Sequence, residues 1–188
     1  DESFFAEDED SLIGTLEADE ESAAFVVSAI TGIYLDQQHG ADDNNGLSEA
    51  TAVKTIEKAN ELANANNIND ICLSSFYKVT GAETWDLGGK TLHRYKLGGY
   101  MIELADASAS LTLSNVVIDG AEYSVDATHD AETDSIIKAA SGGTIELKSG
   151  AILENNKAAQ FGSGILANNG VKITMEKELE RLRNLRRD

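Results

Sequence analysis

A histidine, an arginine and three aromatic side chains lie close together in the sequence between residues 85 and 100. His93 and Arg94 are adjacent, and Trp85, Tyr95 and Tyr100 flank them. A cation beside aromatic rings is suited to binding a sugar or an acidic partner. These five residues are therefore the candidate ligand site, although an exposed turn with a stacking arginine would contain the same residues.

A second candidate site is the loop at residues 37–46, which is rich in Asp and Asn. Carboxylate and amide oxygens are the ligands that Ca²⁺ prefers, so Asp42, Asp43 and Asn45 are candidate metal ligands. The EF-hand spacing fails, because the first and the bidentate ligand positions would fall on Ala41 and Ala52. A tight turn leading into a helix explains the same residues. Calcium is the one cofactor that the sequence allows for, and no other is expected.

The elements that must position these residues are short strands. Between Ile68 and Ile173, pairs of apolar residues separated by one residue place two side chains on one face. The pairs are Ile71/Leu73, Trp85/Leu87, Ile102/Leu104, Leu111/Leu113, Val116/Ile118, Ile145/Leu147 and Val171/Ile173. Residues 111–119 and 145–153 align at an offset of about 34 residues, and Gly, Asn and Asp lie between the pairs. Recurrence of one short strand unit predicts a stacked solenoid.

Helices are expected at two places. Apolar residues at three- and four-residue steps predict an amphipathic helix over about 52–64, capped by Ser48 or Thr51. Residues 174–188 have a capping threonine, early acids and late arginines, which suit a helix dipole. This C-terminal helix caps the strands, associates with a second copy, or is a fused segment. Residues 1–22 are an acidic tail predicted to be disordered, which leaves 23–173 as the strand domain.

Charge and composition exclude several classes of partner. The net charge of −18 argues against binding nucleic acid or anionic lipid. No uninterrupted apolar segment reaches transmembrane length, so membrane insertion is not expected. The single cysteine, Cys72, lies in an apolar run and is predicted to be a buried, inert thiol.

Several segments together resemble a known family. The stretch Ile33-Tyr-Leu-Asp, the loop Gly40-Ala-Asp-Asp-Asn-Asn-Gly-Leu-Ser and the run Ala52-Val-Lys-Thr-Ile-Glu-Lys-Ala look like the N-terminal entry of pectate-lyase-like right-handed parallel β-helix proteins of Gram-positive anaerobes. The stretches Trp85-Asp-Leu-Gly-Gly-Lys-Thr-Leu and Leu111-Thr-Leu-Ser-Asn-Val-Val-Ile-Asp-Gly resemble their first turns. The resemblance implies an all-β fold, a right-handed parallel β-helix with an N-terminal capping helix and a short C-terminal helix.

The resemblance also implies an extracellular, cell-surface location and a role in adhesion. On this basis the expected function is a non-enzymatic module that binds a host protein, such as immunoglobulin or mucin, or a glycan. This fold supports many activities, so an enzyme and a passive stalk stay open as alternatives.

The enzyme alternative is a lyase or hydrolase acting on acidic polysaccharide. Its carboxylates would come from a polar insertion that contains four acids and one histidine. These residues are Asp119, Asp126, His129, Asp130 and Asp134. Asp119 and Asp130 would have to meet Arg94 or Lys138, because such enzymes pair acids with each other or with a base.

Overall fold

The computed structural model describes residues 32–122, 134–139, 142–158 and 162–176. The chain divides between residues 30 and 31, and all described residues belong to the second unit, Thr31–Asp188. A 3₁₀ turn at Glu49–Thr51 and helix α1 at Ile56–Asn66 accompany the strands. The strands are β1 Ile33–Leu35, β2 Asp70–Leu73, β3 Tyr77–Val79, β4 Ala82–Arg94, β5 Ile102–Leu104, β6 Ser110–Glu122, β7 Ile137–Ala139, β8 Thr144–Leu147, β9 Ala151–Glu154, β10 Ile165–Ala167 and β11 Lys172–Met175.

The strands form two sheets in which every described pair is parallel. The larger sheet has seven strands in the order β1-β2-β4-β6-β8-β11, with β9 paired to the second half of β6. The smaller sheet has four strands in the order β10-β7-β5-β3. Apolar residues occupy matching positions in neighbouring strands, for example Ile71, Leu92 and Ile118. These residues are fully buried and belong to one hydrophobic core, which both sheets share.

The all-β prediction is wrong, and so are the stacked solenoid and the right-handed parallel β-helix that were predicted with it. The chain forms two separate parallel sheets of seven and four strands with few helices, an α/β-like arrangement. Helix α1 contributes Ile56, Ala59 and Ala63 to the same core as the strands. Recurring apolar pairs indicate parallel strands, but the pattern is local and does not show how strands divide between sheets or what covers them.

Helix α1 begins four residues later than predicted. Ala52 and Val53 are extended instead, because Val53 bridges Leu35 beside β1. The N-cap is Thr55, whose hydroxyl accepts a hydrogen bond from the Lys58 amide at 3.3 Å. The helix ends at Asn67, which adopts the left-handed conformation that asparagine tolerates.

The predicted C-terminal helix does not begin at Thr174. Thr174 and Met175 lie in β11, where they pair with Glu146 and Leu147 of β8. The rest of that predicted helix, residues 177–188, lies outside the described residues, as does the predicted acidic tail, residues 1–22. In the described part of the chain, no helix is long and apolar enough to cross a membrane.

Candidate functional site

Trp85 is a core residue and not part of a binding surface. Its side chain is 1% exposed and packs edge-on against Tyr77, with ring centroids 5.0 Å apart. The indole Nε1 donates a hydrogen bond to Glu83 Oε2 at 2.9 Å, which satisfies its one polar group. The pair Trp85/Leu87 already predicted an inward-facing position, and the structure confirms the burial.

His93 and Arg94 lie on opposite faces of β4, because successive residues of a strand alternate. Neither is exposed, so the alternative explanation, an exposed turn with a stacking arginine, is wrong. His93 Nε2 is 2.7 Å from Asp70 Oδ1 of β2, and His93 Nδ1 is 3.7 Å from Asp119 Oδ2 of β6. The imidazole therefore lies between two carboxylates and links three neighbouring strands.

Arg94 is fully buried and lies beside Leu73 on the inner face. Its guanidinium donates to the carbonyl oxygens of Gly120 and Leu97, both at 2.9 Å, and to that of Gly99. It also donates to Asn156 Oδ1 at 3.3 Å. Through these contacts Arg94 holds loops together inside the molecule, so its guanidinium is not available at the surface for a ligand.

Tyr95 is also buried, in a cluster at the edge of the larger sheet. It packs edge-on against Tyr34, with ring centroids 5.3 Å apart, and the Lys96 ammonium lies 5.1 Å from its ring centre. Lys96 Nζ pairs with Glu49 Oε1 at 2.7 Å. Burial, reinforced by Tyr95, raises the pKa of Tyr34 to about 12, so this phenol stays neutral at physiological pH.

Of the five predicted ligand residues, Tyr100 is the one that is not buried, and it lies beside a partly exposed cation. The Lys138 ammonium lies 4.5 Å from the centre of the Tyr100 ring, and Phe76 packs edge-on against that ring at 5.6 Å. Lys138 also pairs with Glu103 at 3.6 Å. We call Phe76, Lys78, Tyr100, Glu103 and Lys138 the Tyr100 patch.

Strand register explains how the patch assembles. Lys78, Glu103 and Lys138 are the middle residues of β3, β5 and β7 and occupy matching positions. Their neighbours along each strand are buried in the core, so the three charged side chains face outward. Sequence analysis missed Phe76, Lys78 and Glu103. The available signal was a charged residue between two apolar ones in each of three short strands.

The polysaccharide-cleaving constellation is not assembled within the described residues. Asp119 lies beside His93 on the larger sheet, whereas Lys138 lies on the smaller sheet and Arg94 is internal. Asp126, His129 and Asp130 lie outside the described residues. Asp134 is exposed, and its backbone carbonyl accepts a hydrogen bond from Asn156.

Asp42 has a structural role at the start of α1. Its Oδ1 accepts hydrogen bonds from the Lys54 and Thr55 amides at 2.9 Å, and its Oδ2 accepts one from the Thr55 hydroxyl. Burial alone would raise the pKa of Asp42, but these hydrogen bonds outweigh it and lower the pKa below its ordinary value.

The other two candidate metal ligands lie in the same loop. Asn45 Oδ1 accepts a hydrogen bond from the Leu47 amide, and Asp43 is exposed. In the described ranges no group of three or more His, Cys, Asp or Glu side chains could hold a metal ion. Calcium binding by Asp42, Asp43 and Asn45 stays a prediction.

Cys72 is buried, as predicted. Burial, with a smaller effect of Asp70, raises the pKa of its thiol to about 12. The thiolate is therefore not formed at physiological pH, and the residue is unsuited to nucleophilic chemistry.

Comparison with protein-family models, with curated proteins and with solved structures found no match. The resemblance to pectate-lyase-like surface proteins accordingly stays a prediction.

Proposed function

We propose that this chain is a non-enzymatic extracellular binding module that attaches to a host glycoprotein or glycan through the Tyr100 patch. The observation that carries the proposal is the pairing of a partly exposed Tyr100 ring with Lys138 and Phe76 on one sheet face. Aromatic rings with adjacent cations are common at recognition surfaces, because they combine a large contact area with a polar handle.

Local charge supports this choice of surface. The chain carries −18 overall, whereas the outward row of the smaller sheet has two lysines and one glutamate. An acidic glycan or protein is repelled by most of the molecule and meets a less repulsive surface here. The geometry therefore favours a partner with carboxylate or sulfate groups.

The location and the class of host partner rest on the family resemblance alone. That resemblance suggests a cell-surface setting and partners such as immunoglobulin or mucin. Binding at the Tyr100 patch does not depend on the location or on the class of partner, so a test of it requires neither.

The test is capture of host glycoproteins and arrayed glycans by the purified chain, with and without Ca²⁺. Lys138→Ala and Lys148→Ala are a matched pair, because each lysine is about two-fifths exposed and pairs with a glutamate, at 3.6 and 3.4 Å. We expect saturable capture that Tyr100→Ala and Lys138→Ala each weaken by about tenfold, as for a residue at the centre of an interface. Lys148→Ala, on the larger sheet, should leave binding unchanged.

Other outcomes support the alternatives. Equal losses in both lysine variants would show that the patch is not the binding surface. Slow shortening of an acidic polysaccharide would favour the enzyme alternative. Absence of any binding would favour a passive stalk.

A further inference from the structure

The sequence contains two Asn-Gly pairs, Asn45-Gly46 and Asn169-Gly170. An asparagine followed by glycine can modify itself, because the glycine amide nitrogen can attack the carbonyl carbon of the asparagine side chain and close a cyclic imide. Glycine favours this attack, since it has no Cβ to obstruct the approach and its backbone rotates easily. The two dipeptides are identical, so any difference between them comes from their surroundings in the folded protein.

The first pair is held in place by hydrogen bonds. The Gly46 amide donates to the Thr51 carbonyl at 2.9 Å, and the Gly46 carbonyl accepts from the Tyr34 amide at 2.8 Å. Gly46 is also buried, and Asn45 Oδ1 accepts a hydrogen bond from the Leu47 amide at 3.0 Å. The Gly46 nitrogen therefore cannot turn towards the Asn45 side chain until several hydrogen bonds have opened.

The second pair lies in the tight turn between β10 and β11, and both of its residues are exposed. The Val171 amide donates to the Asn168 carbonyl at 3.2 Å, and Gly170 has a φ of 80°, as the third residue of a type II turn requires. Among the described residues, the Gly170 amide and the Asn169 side chain make no hydrogen bond. Rotation of the peptide group between Asn169 and Gly170 breaks one backbone hydrogen bond, from the Gly142 amide at 3.2 Å.

We propose that Asn169 is a site of self-modification, at which the folded protein converts asparagine to aspartate and isoaspartate. The Gly170 amide gives its proton to a solvent base, and its nitrogen forms a bond to Asn169 Cγ. The bond between Cγ and Nδ2 breaks, and Nδ2 takes up a proton and leaves as ammonia.

Water then opens the imide at one of its two carbonyl carbons. Breaking the new bond to Cγ gives aspartate, whereas breaking the bond to the main-chain carbonyl carbon of residue 169 gives isoaspartate. Either product adds a negative charge to the turn. Isoaspartate also adds a methylene group to the main chain, which displaces the carbonyl that accepts from the Gly142 amide. The turn that leads into β11 therefore changes as the molecule ages.

The test is site-resolved mass spectrometry of the purified chain during incubation at mildly alkaline pH. In the folded protein we expect Asn169 to react at least about tenfold faster than Asn45, because the hydrogen bonds of Gly46 must open first. In concentrated urea the two sites should react at similar rates, since the dipeptides are identical. Equal rates in the folded protein would overturn the proposal, as would a reaction at Asn169 in urea alone.

Asn169→Gln and Asn45→Gln are a matched pair of variants, because glutamine must close a larger ring and reacts far more slowly. Isoelectric focusing of folded, incubated samples detects the added negative charge. We expect the main acidic species of the wild type to be lost in Asn169→Gln and kept in Asn45→Gln. An acidic species that forms equally in both variants would show that the reacting residue is another one.

Discussion

Arg94 is a buried cation whose guanidinium donates to three backbone carbonyl groups and to the Asn156 side chain. Its hydrogen bonds reach the loop after β4, the end of β6 and the turn after β9. Gly120 is part of the same arrangement, because a Cβ there would lie 2.5 Å from the Asn156 Cβ. The guanidinium has enough fixed donors for several acceptors at once, which an ammonium group cannot reproduce.

Replacing Arg94 should therefore cost stability in proportion to the donors that are lost. We expect Arg94→Ala to lower the free energy of unfolding by about 3 kcal/mol or more, because buried acceptors lose their partner. Arg94→Lys should fall between Arg94→Ala and the wild type. Urea unfolding followed by the fluorescence of the single tryptophan, Trp85, measures both. If Arg94→Ala unfolds at the same urea concentration as the wild type, Arg94 does not have this structural role.

Gly40 and Gly81 differ in how closely other atoms approach them. A Cβ at Gly40 would clash with the carbonyl oxygens of Val53 and Asp36, whereas nothing lies within 4 Å of a Cβ at Gly81. Gly40→Ala should destabilise the protein by about 1–3 kcal/mol, the usual cost of overpacking. Gly81→Ala should stay within about 0.5 kcal/mol of the wild type. Thermal unfolding distinguishes the two, and similar melting temperatures would show that the close approach at Gly40 is unimportant.

The start of helix α1 depends on one carboxylate. Asp42 receives three hydrogen bonds from Lys54 and Thr55, and these lower its pKa below the ordinary value. A carboxyl whose pKa is lower when folded adds stability above its unfolded pKa and loses that contribution as pH falls through the folded one. The contribution of Asp42 is therefore complete at pH 7 and declines below about pH 4.

We expect Asp42→Asn to cost about 1 kcal/mol at pH 7, typical of a weakened N-terminal cap, and less at pH 3. Asp43→Asn, at the exposed neighbouring position, should have little effect at either pH. Urea unfolding at the two pH values gives both differences. If the difference in free energy of unfolding between Asp42→Asn and the wild type is the same at pH 7 and pH 3, the Asp42 carboxylate does not have this stabilising role.

The calcium hypothesis is tested at the same loop. If Asp42, Asp43 and Asn45 bind Ca²⁺, millimolar calcium should raise the melting temperature of the wild type, because a ligand that binds only the folded state stabilises it. Asp43→Asn should abolish that rise, and it should leave the melting temperature unchanged when a chelator has removed the calcium. An unchanged wild-type melting temperature would leave these residues with structural roles alone.

Across the whole molecule, the charge of −18 opposes compaction. Like charges repel at low ionic strength, and salt screens them over a distance of about 10 Å at 0.1 M. The melting temperature should therefore rise between about 10 mM and 300 mM NaCl at pH 7. The rise should nearly vanish close to the sequence pI of about 4.4. A melting temperature that falls with salt at pH 7 would mean that specific ion pairs outweigh the general repulsion.

Local patterns in the sequence were sufficient to predict much of the secondary structure. Leu111 and Ile145, which align at an offset of about 34 residues, are neighbours in register. Asn115 and Asn155, which lie between apolar pairs, adopt the left-handed backbone conformation that asparagine tolerates. Most predicted apolar pairs are buried, because alternation along a strand is fixed by backbone geometry.

Tertiary structure decided which side chains meet, and it separated the candidate ligand residues. Trp85, Arg94 and Tyr95 are buried, and His93 lies between two acids. Tyr100, in the loop before β5, meets Lys138 of the smaller sheet. The sequence pattern also did not predict how the strands divide between two sheets. Strand periodicity reports only the side of a strand on which a residue lies, whereas strand partners and sheet membership depend on contacts between residues far apart in the chain.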